Sequence, residues 1–325
     1  MISQDLQKAV ALLHQGECVG MPTETVYGLA ADATSVEAVA KIFAIKNRPT
    51  FDPLIVHLSG IEEVERVALD FPPLAQKLAE RFWPGPLTLI LPKRDLIPDL
   101  VSSGLPTIGV RVPRHPMARS LLREFGKPLA APSANRFGRI SPTSAEAVEK
   151  ELGEAVKLIL DGGRCEIGLE STIVGFDHGT PTILRLGGIS LEELESVLGT
   201  IRLENHPHAR PQAPGQIEQH YAPRKPLKLV SSLEELRSHT ERSRGALIWG
   251  EEQAAGYLEV FNLSPKKDWN EAATNFFQML RALDDGKSLD LVALRLPEIG
   301  LGRAINERLS RAAHGVVTGV AQAST

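Results

Sequence analysis

Short β-rich runs alternate with apolar stripes of helical period almost from the first residue. The alternation breaks once, between Arg202 and Pro226, where Pro207, Pro211, Pro214, Pro223 and Pro226 punctuate the chain. Interleaved strands and helices commit a chain to an α/β architecture, because each strand buries its faces under the helices that flank it. A proline-rich break without periodicity reads as an extended linker. At 325 residues the chain also exceeds what one hydrophobic core usually fills. Two units are therefore expected, 1–201 and 227–325, joined by a linker over 202–226.

In the first unit the periodicity predicts helices over Leu6–His14, Leu74–Phe82 and Pro116–Phe125. Val36, Val39, Ala40 and Phe43 make another helical stripe behind a Ser35 cap, ending before Pro49. Strands are expected at Val19–Met21, Leu54–Leu58, Leu87–Leu91, Ile108–Val112, Leu158–Leu160, Ser171–Phe176 and Thr182–Leu186. Thr143-x-x-Glu146 and Ser190-x-x-Glu193 read as capping boxes. Beyond the linker, strands at Leu227–Val230, Ala246–Trp249, Leu258–Leu263 and Leu291–Leu296 alternate with helices at Leu233–Ser238, Trp269–Leu283 and Arg303–Ala313. That pattern predicts a small, parallel, Rossmann-like sheet.

Composition excludes more than it identifies. Hydrophobic residues make up 42% and charged residues 23%, ordinary globular usage. The formal charge of −4 gives no global basic field to attract nucleic acid. No apolar run approaches the ~20 residues of a membrane span, and the N-terminus shows no leader pattern, so a cytoplasmic protein is expected. Cys18 and Cys165 are too few and too far apart for a disulfide scaffold or a thiolate metal site, and no metal ligands are expected from the chain.

The familiar nucleotide motifs fail on inspection. Gly163-Arg164-Cys165-Glu166-Ile167-Gly168 spaces its glycines like a P-loop, but Leu169 and Glu170 stand where Lys and Ser/Thr are needed. Gly300-Leu301-Gly302-Arg303-Ala304-Ile305 lacks the third glycine of a dinucleotide fingerprint. HExxH and GxSxG are absent. What remains is a set of polar and basic runs at strand ends, where open α/β sheets bind ligands.

Pro22-Thr23-Glu24-Thr25 follows a strand and reads either as a turn or as a hydroxyl-bearing ligand contact. Lys46-Asn47-Arg48-Pro49 reads either as a solvated helix end or as a phosphate neutraliser. His57 on Leu54-Ile55-Val56 is a core histidine or a site residue. Arg111, between Val110 and Val112 on a strand, is an expensive cation unless it is paired or faces a cleft, so an anionic partner is expected. Pro132-Ser133-Ala134-Asn135, Ser171-Thr172 and the strand-borne Arg185 complete the set. Recurring hydroxyls and cations with no evident general base fit binding of a polyphosphate and a small zwitterion. Nucleotidyl transfer with magnesium suits such a site, since positioning and charge stabilisation carry that chemistry.

Taken together, Pro22-Thr-Glu-Thr-Val-Tyr-Gly-Leu29, Lys46-Asn-Arg-Pro49, Pro53-Leu-Ile-Val-His57, Trp83-Pro-Gly-Pro-Leu-Thr88, Val110-Arg-Val-Pro113, Pro132-Ser-Ala-Asn135 and Ser171-Thr-Ile-Val174 resemble the YrdC-like family of L-threonylcarbamoyladenylate synthases. The run Ala213–Gln216 through His220-Tyr221-Ala222-Pro223, with the Gly300–Ile305 tail, resembles its long two-domain form. The resemblance implies a twisted mixed YrdC-like sheet in 1–201 and a lid in 202–226. It implies that L-threonine and bicarbonate form a carbamate that attacks ATP, giving threonylcarbamoyl-AMP and pyrophosphate. A threonylcarbamoyl transferase complex would then modify tRNAs reading codons that begin with A.

By the same resemblance, Thr23, His57, Arg111 and Ser171 surround threonine. Lys46, Arg48, Thr50, Ser133, Asn135, Ser141, Arg185 and Tyr221 line the ATP site, with magnesium carried by ATP. The catalytic charge would come from Lys46, Arg48 and Arg111. Two other readings stand beside this one. One is a carbamoyl-adenylate-forming carbamoyltransferase, although its zinc-finger cysteines are missing. The other is a double-stranded RNA or tRNA binding module, disfavoured by the net charge, which leaves at most a weak RNA contact.

Overall fold

The computed structural model describes residues 1–177, 179–204, 213, 220–251 and 253–314. An 11-stranded sheet organises the first unit. From edge to edge its strands are Ile2–Ser3, Leu158–Leu160, Val19–Met21, Gly28–Asp32, Leu129–Ala130, Ile55–His57, Thr107–Arg111, Leu87–Pro92, Thr172–Asp177, Thr180–Arg185 and Arg202–Leu203. Parallel and antiparallel pairs mix along it. Val19–Met21 returns antiparallel as Gly28–Asp32, whereas His57 lies opposite Arg111 on parallel neighbours. The 4-stranded sheet of the second unit, ordered Leu227–Val230, Asp290–Leu294, Arg244–Ile248 and Glu259–Asn262, is parallel throughout.

Local chemistry explains the helix boundaries. Asp5 caps Leu6–His14 by accepting the Lys8 amide. Pro116–Phe125 opens on proline and stops at Gly126, whose φ of 72° closes the end. Ser190 and Glu193 form both halves of the expected capping box. The other expected box is displaced by one residue: Ser144, in extended conformation at φ −148°, accepts the Ala147 amide, and the helix is Ala145–Leu152.

The strand Gly28–Asp32 has no counterpart in the sequence reading. Gly-Leu-Ala-Ala-Asp lacks alternation and β-branched residues, and it becomes a strand because Val19–Met21 pairs with it and both its faces are buried. Leu129–Ala130, Ile2–Ser3 and Arg202–Leu203 are likewise too short to announce themselves.

One apolar core runs through both units and includes Leu186, Tyr221, Phe276, Phe277 and Leu309. One glycine of the run that resembled a P-loop serves this junction. Gly168 has φ 73°, and a Cβ there would sit 2.5 Å from the Ala273 carbonyl of helix Trp269–Asp285, so the loop approaches that helix only with glycine. Gly302 similarly packs against the Trp269 ring. A polar seam adds to it: buried Asp284 accepts Arg139 Nη2 at 3.1 Å and the amides of Arg224 at 2.7 Å and Lys225 at 3.1 Å.

Of the expected linker, 205–212 and 214–219 lie outside the described residues, as does 315–325 of the second unit. Among the described residues no helix is long and apolar enough to cross a membrane.

Candidate active site

A narrow cavity opens to solvent where Ile55–His57 and Thr107–Arg111 end. Its wall includes Thr25, Arg48, His57, Arg111, Ser133, Glu170, Ser171, Arg185, His220 and Tyr221. The sheet order explains the convergence, because strands separated in sequence end side by side there.

Arg111 finds its anion in the protein. Its Nη2 donates to Glu24 Oε1 at 2.6 Å, and its Nε donates to the Gly85 carbonyl at 3.3 Å. The other Glu24 oxygen accepts the Arg114 amide at 3.0 Å. Burial alone would push the Glu24 carboxyl upward, but the Arg111 charge and hydrogen bond and two backbone amides hold it below the usual range. Beside this pair His57 is buried, with Nδ1 at 3.2 Å from the Ile55 carbonyl. Burial first, then the Arg111 charge, pushes it down to about 3, so it stands as neutral imidazole at neutral pH.

Thr23 builds the turn rather than the wall. Its hydroxyl donates to the Val26 carbonyl at 2.6 Å and accepts the Thr25 and Val26 amides at 3.2 and 3.3 Å. Thr25, bonded to Thr23 at 2.8 Å, faces the cavity instead. Across from it Ser171 shares a 2.7 Å hydroxyl contact with Thr88 and accepts Arg185 Nη2 at 3.1 Å. Arg185 is aimed by a bulge: the ladder between Thr172–Asp177 and Thr180–Arg185 shifts register between Ile183 and Arg185.

Lys46 ends helix Val36–Lys46, and Asn47 at φ 51° turns the chain so that Arg48 comes back toward the sheet. Arg48 donates to the Asp52 and Pro53 carbonyls and pairs with the Asp52 carboxylate at 2.8 Å. Lys46 does not line the cavity; its ammonium, buried behind it, donates to the Ser133 and Asn135 carbonyls. Burial and the nearby Arg48 hold it well below its usual value.

Asn135 spends its amide N–H groups on Arg136 and Arg139, and its Oδ1 is buried without a hydrogen bond among the described residues. Ser141 donates to Glu170 Oε1 at 2.6 Å. Thr50 is exposed in the turn between Arg48 and Asp52 and does not line the cavity. Tyr221, with φ 66° and 1% exposure, lies against His220 at 4.0 Å and Phe277 at 5.5 Å between ring centroids.

Glu170 and His220 line this cavity, and Asp52 and Thr88 support it through Arg48 and Ser171, although sequence reasoning did not place them there. Glu170 and Asp52 carried a readable signal, since one precedes the Ser171 strand and the other lies four residues after Arg48.

Two histidines buried among the described residues, His57 and His220, give the fold a pH dependence. Burial lowers His57 and His220 from 6.5 to about 3. Below the unfolded value the unfolded chain binds protons that the folded chain refuses, so stability is lost as pH falls from 6.5 toward 3. At about pH 5 each histidine should cost about 2 kcal/mol relative to neutral pH. Urea unfolding at both pH values checks this, and His57→Gln should remove its share; an unchanged dependence would contradict it.

The family model described as Telomere recombination matches residues 11–187, and that described as Threonylcarbamoyl-AMP synthase, C-terminal domain, matches 189–314. The threonylcarbamoyl-AMP synthase of Bacillus subtilis is 40% identical over 324 residues, covering 96% of this chain and 94% of its own. That of Pyrococcus abyssi is 39% identical, covering 94% and 92%. The crystal structure of P. abyssi Sua5 complexed with L-threonine matches with a TM-score of 0.88 at 37% identity, over 95% of this chain and 94% of that one. Both models and both full-length relatives agree with the fold and the motifs, and the chain belongs to the threonylcarbamoyl-AMP synthase family.

Proposed function

We infer that this chain joins L-threonine, bicarbonate and ATP into threonylcarbamoyl-AMP, releasing water as the carbamate forms and then pyrophosphate, for the threonylcarbamoylation of tRNAs reading codons that begin with A. The observation that carries this reading is the charge of the cavity. Among the described residues Lys46, Arg48, Arg111, Arg185 and Arg308 stand in or behind its wall, against the carboxylates of Glu24, Asp52, Glu170 and, 3.8 Å from Arg308, Glu307. Burial disfavours the charged forms of Lys46, Arg48 and Arg185, so a polyphosphate entering there relieves a cost already present.

In this reading threonine lies at His57, Arg111 and Ser171, with Thr23 supporting Thr25. Glu24 fixes one arm of Arg111, and its Nη1, which has no hydrogen bond among the described residues, is offered to the threonine carboxylate. Neutral His57 contributes a hydrogen bond without competing for that anion. ATP lies toward Arg48, Arg185, Ser133, Asn135 and Ser141, with Lys46 behind them and Tyr221 with the linker as the lid. The carbamate oxygen attacks the α-phosphorus, the bond to the β-phosphate oxygen breaks, and pyrophosphate leaves with that electron pair. The buried cations stabilise the charge on the transferring phosphate.

Glu24, Asp52 and Glu170 are each tied to an arginine, and the described residues hold no group of three metal-ligating side chains. Magnesium fits this site as a counter-ion held by the ATP phosphates, where it would neutralise charge. The product is a labile mixed anhydride, consumed by a transferase complex.

Pyrophosphate release from ATP tests the reading. Release should require both threonine and bicarbonate, and release indifferent to threonine would overturn it.

A further inference from the structure

Arg308, on helix Gly302–Ala313 of the second unit, reaches the back of the cavity wall of the first, where it meets Glu170 and Tyr221. Its side chain is 0% exposed. Nε donates to Glu170 Oε2 at 2.7 Å, Nη2 to the Leu186 carbonyl at 3.0 Å, and Nη1 to Ala304 of its own helix at 2.9 Å. Its Cζ stands 5.5 Å from the centre of the Tyr221 ring. Burying a guanidinium is costly, and apolar residues of similar volume would hold two units together at least as well. What distinguishes this position is what it touches, since Glu170 and Tyr221 both face the cavity.

Burial alone would raise the Glu170 carboxyl; Arg308, then Arg185 and Ser141, hold it below the usual range and therefore ionised. The ionised Glu170 in turn orders Ser141 at 2.6 Å. Tyr221 occupies a backbone conformation that a side chain rarely adopts, and such a conformation persists only when its surroundings over-determine it. Two of the groups around its ring, Arg308 and Phe277, come from the second unit.

We propose that Arg308 is a positioning residue for the adenylation: from the second unit it fixes the Glu170 carboxylate and the Tyr221 ring against the nucleotide side of the cavity. The second unit thus completes the active site. This proposal rests on the adenylating reading above.

The test uses the full chain, with pyrophosphate release measured against ATP and against threonine beside urea unfolding. Arg308→Lys keeps the charge but cannot hold Glu170, the Leu186 carbonyl and the ring face together. Arg303→Ala is the comparison: it lies on the same helix, and its 2.5 Å pair with Glu192 also bridges the units, but Glu192, unlike Glu170, does not line the cavity. Arg308→Lys should lower kcat/KM for ATP by about 100-fold while moving the KM for threonine by less than about threefold. Arg303→Ala should leave both within about twofold.

If Arg308→Lys does not fold, Glu170→Gln carries the test and should show the same ATP-selective loss. Wild-type kinetics per folded molecule in the tested variant, or equal losses toward both substrates, would reduce Arg308 to an adhesive contact and overturn the proposal. Failure of the adenylating reading appears separately, as a wild-type chain that releases no threonine-dependent pyrophosphate.

Discussion

Glu24→Ala is expected to destabilise the fold by about 3–5 kcal/mol, because it leaves the Arg111 guanidinium buried without its carboxylate. The pair is almost dry, with side chains 5% and 2% exposed, so solvent cannot replace the lost partner. Glu24→Ala/Arg111→Met should recover most of that loss, since removing both charges leaves no uncompensated ion. It should not recover turnover. Urea unfolding of the single and double variants gives the coupling, and a double variant as unstable as Glu24→Ala would contradict it.

The same pair refines the role proposed for Arg111. Arg111→Ala, where it remains folded, should raise the threonine requirement by roughly 10- to 150-fold, equivalent to a charge-assisted bond of about 1.5–3 kcal/mol. The ATP requirement should move little; equal effects on both substrates would refute the assignment.

Tyr221 yields the second large effect, with an unusual order among its variants. Tyr221→Ala removes a fully buried ring and should cost about 3–5 kcal/mol. Tyr221→Gly removes the same ring but relaxes the φ of 66°, so it should be more stable than the alanine variant by about 1 kcal/mol. Both should lose adenylate formation. Urea midpoints for the two variants decide it, and an alanine variant more stable than the glycine variant would show that the backbone there is not strained.

Much of the fold is legible in the sequence because periodicity reports burial. Leu6–His14, Pro116–Phe125, Leu227–Val230 and Leu233–Ser238 carry clear apolar patterns and caps, and the structure reproduces their ends. Gly28–Asp32 is not legible because its small residues become a strand only by pairing between Val19–Met21 on one side and the distant Leu129–Ala130 on the other. The site shows the same division. Arg111's need for an anion follows from its place on an apolar strand, but that Glu24 answers it depends on a loop folding back.

Thr23 and Thr25 are two residues apart and equally polar, and only the turn geometry sends one inward to the backbone and the other to the cavity. Arg308 lies 138 positions from Glu170, and no local pattern links them.

The central claim is that one cavity brings a threonine carbamate onto the α-phosphate of ATP. Incubating the full chain with ATP, threonine and carbon-13 bicarbonate, and identifying the nucleotide product by mass spectrometry, tests it most directly. The account predicts an AMP adduct that contains both threonine and the labelled carbon and forms together with pyrophosphate. An adduct without the labelled carbon, or AMP alone whatever the amino acid supplied, would contradict it.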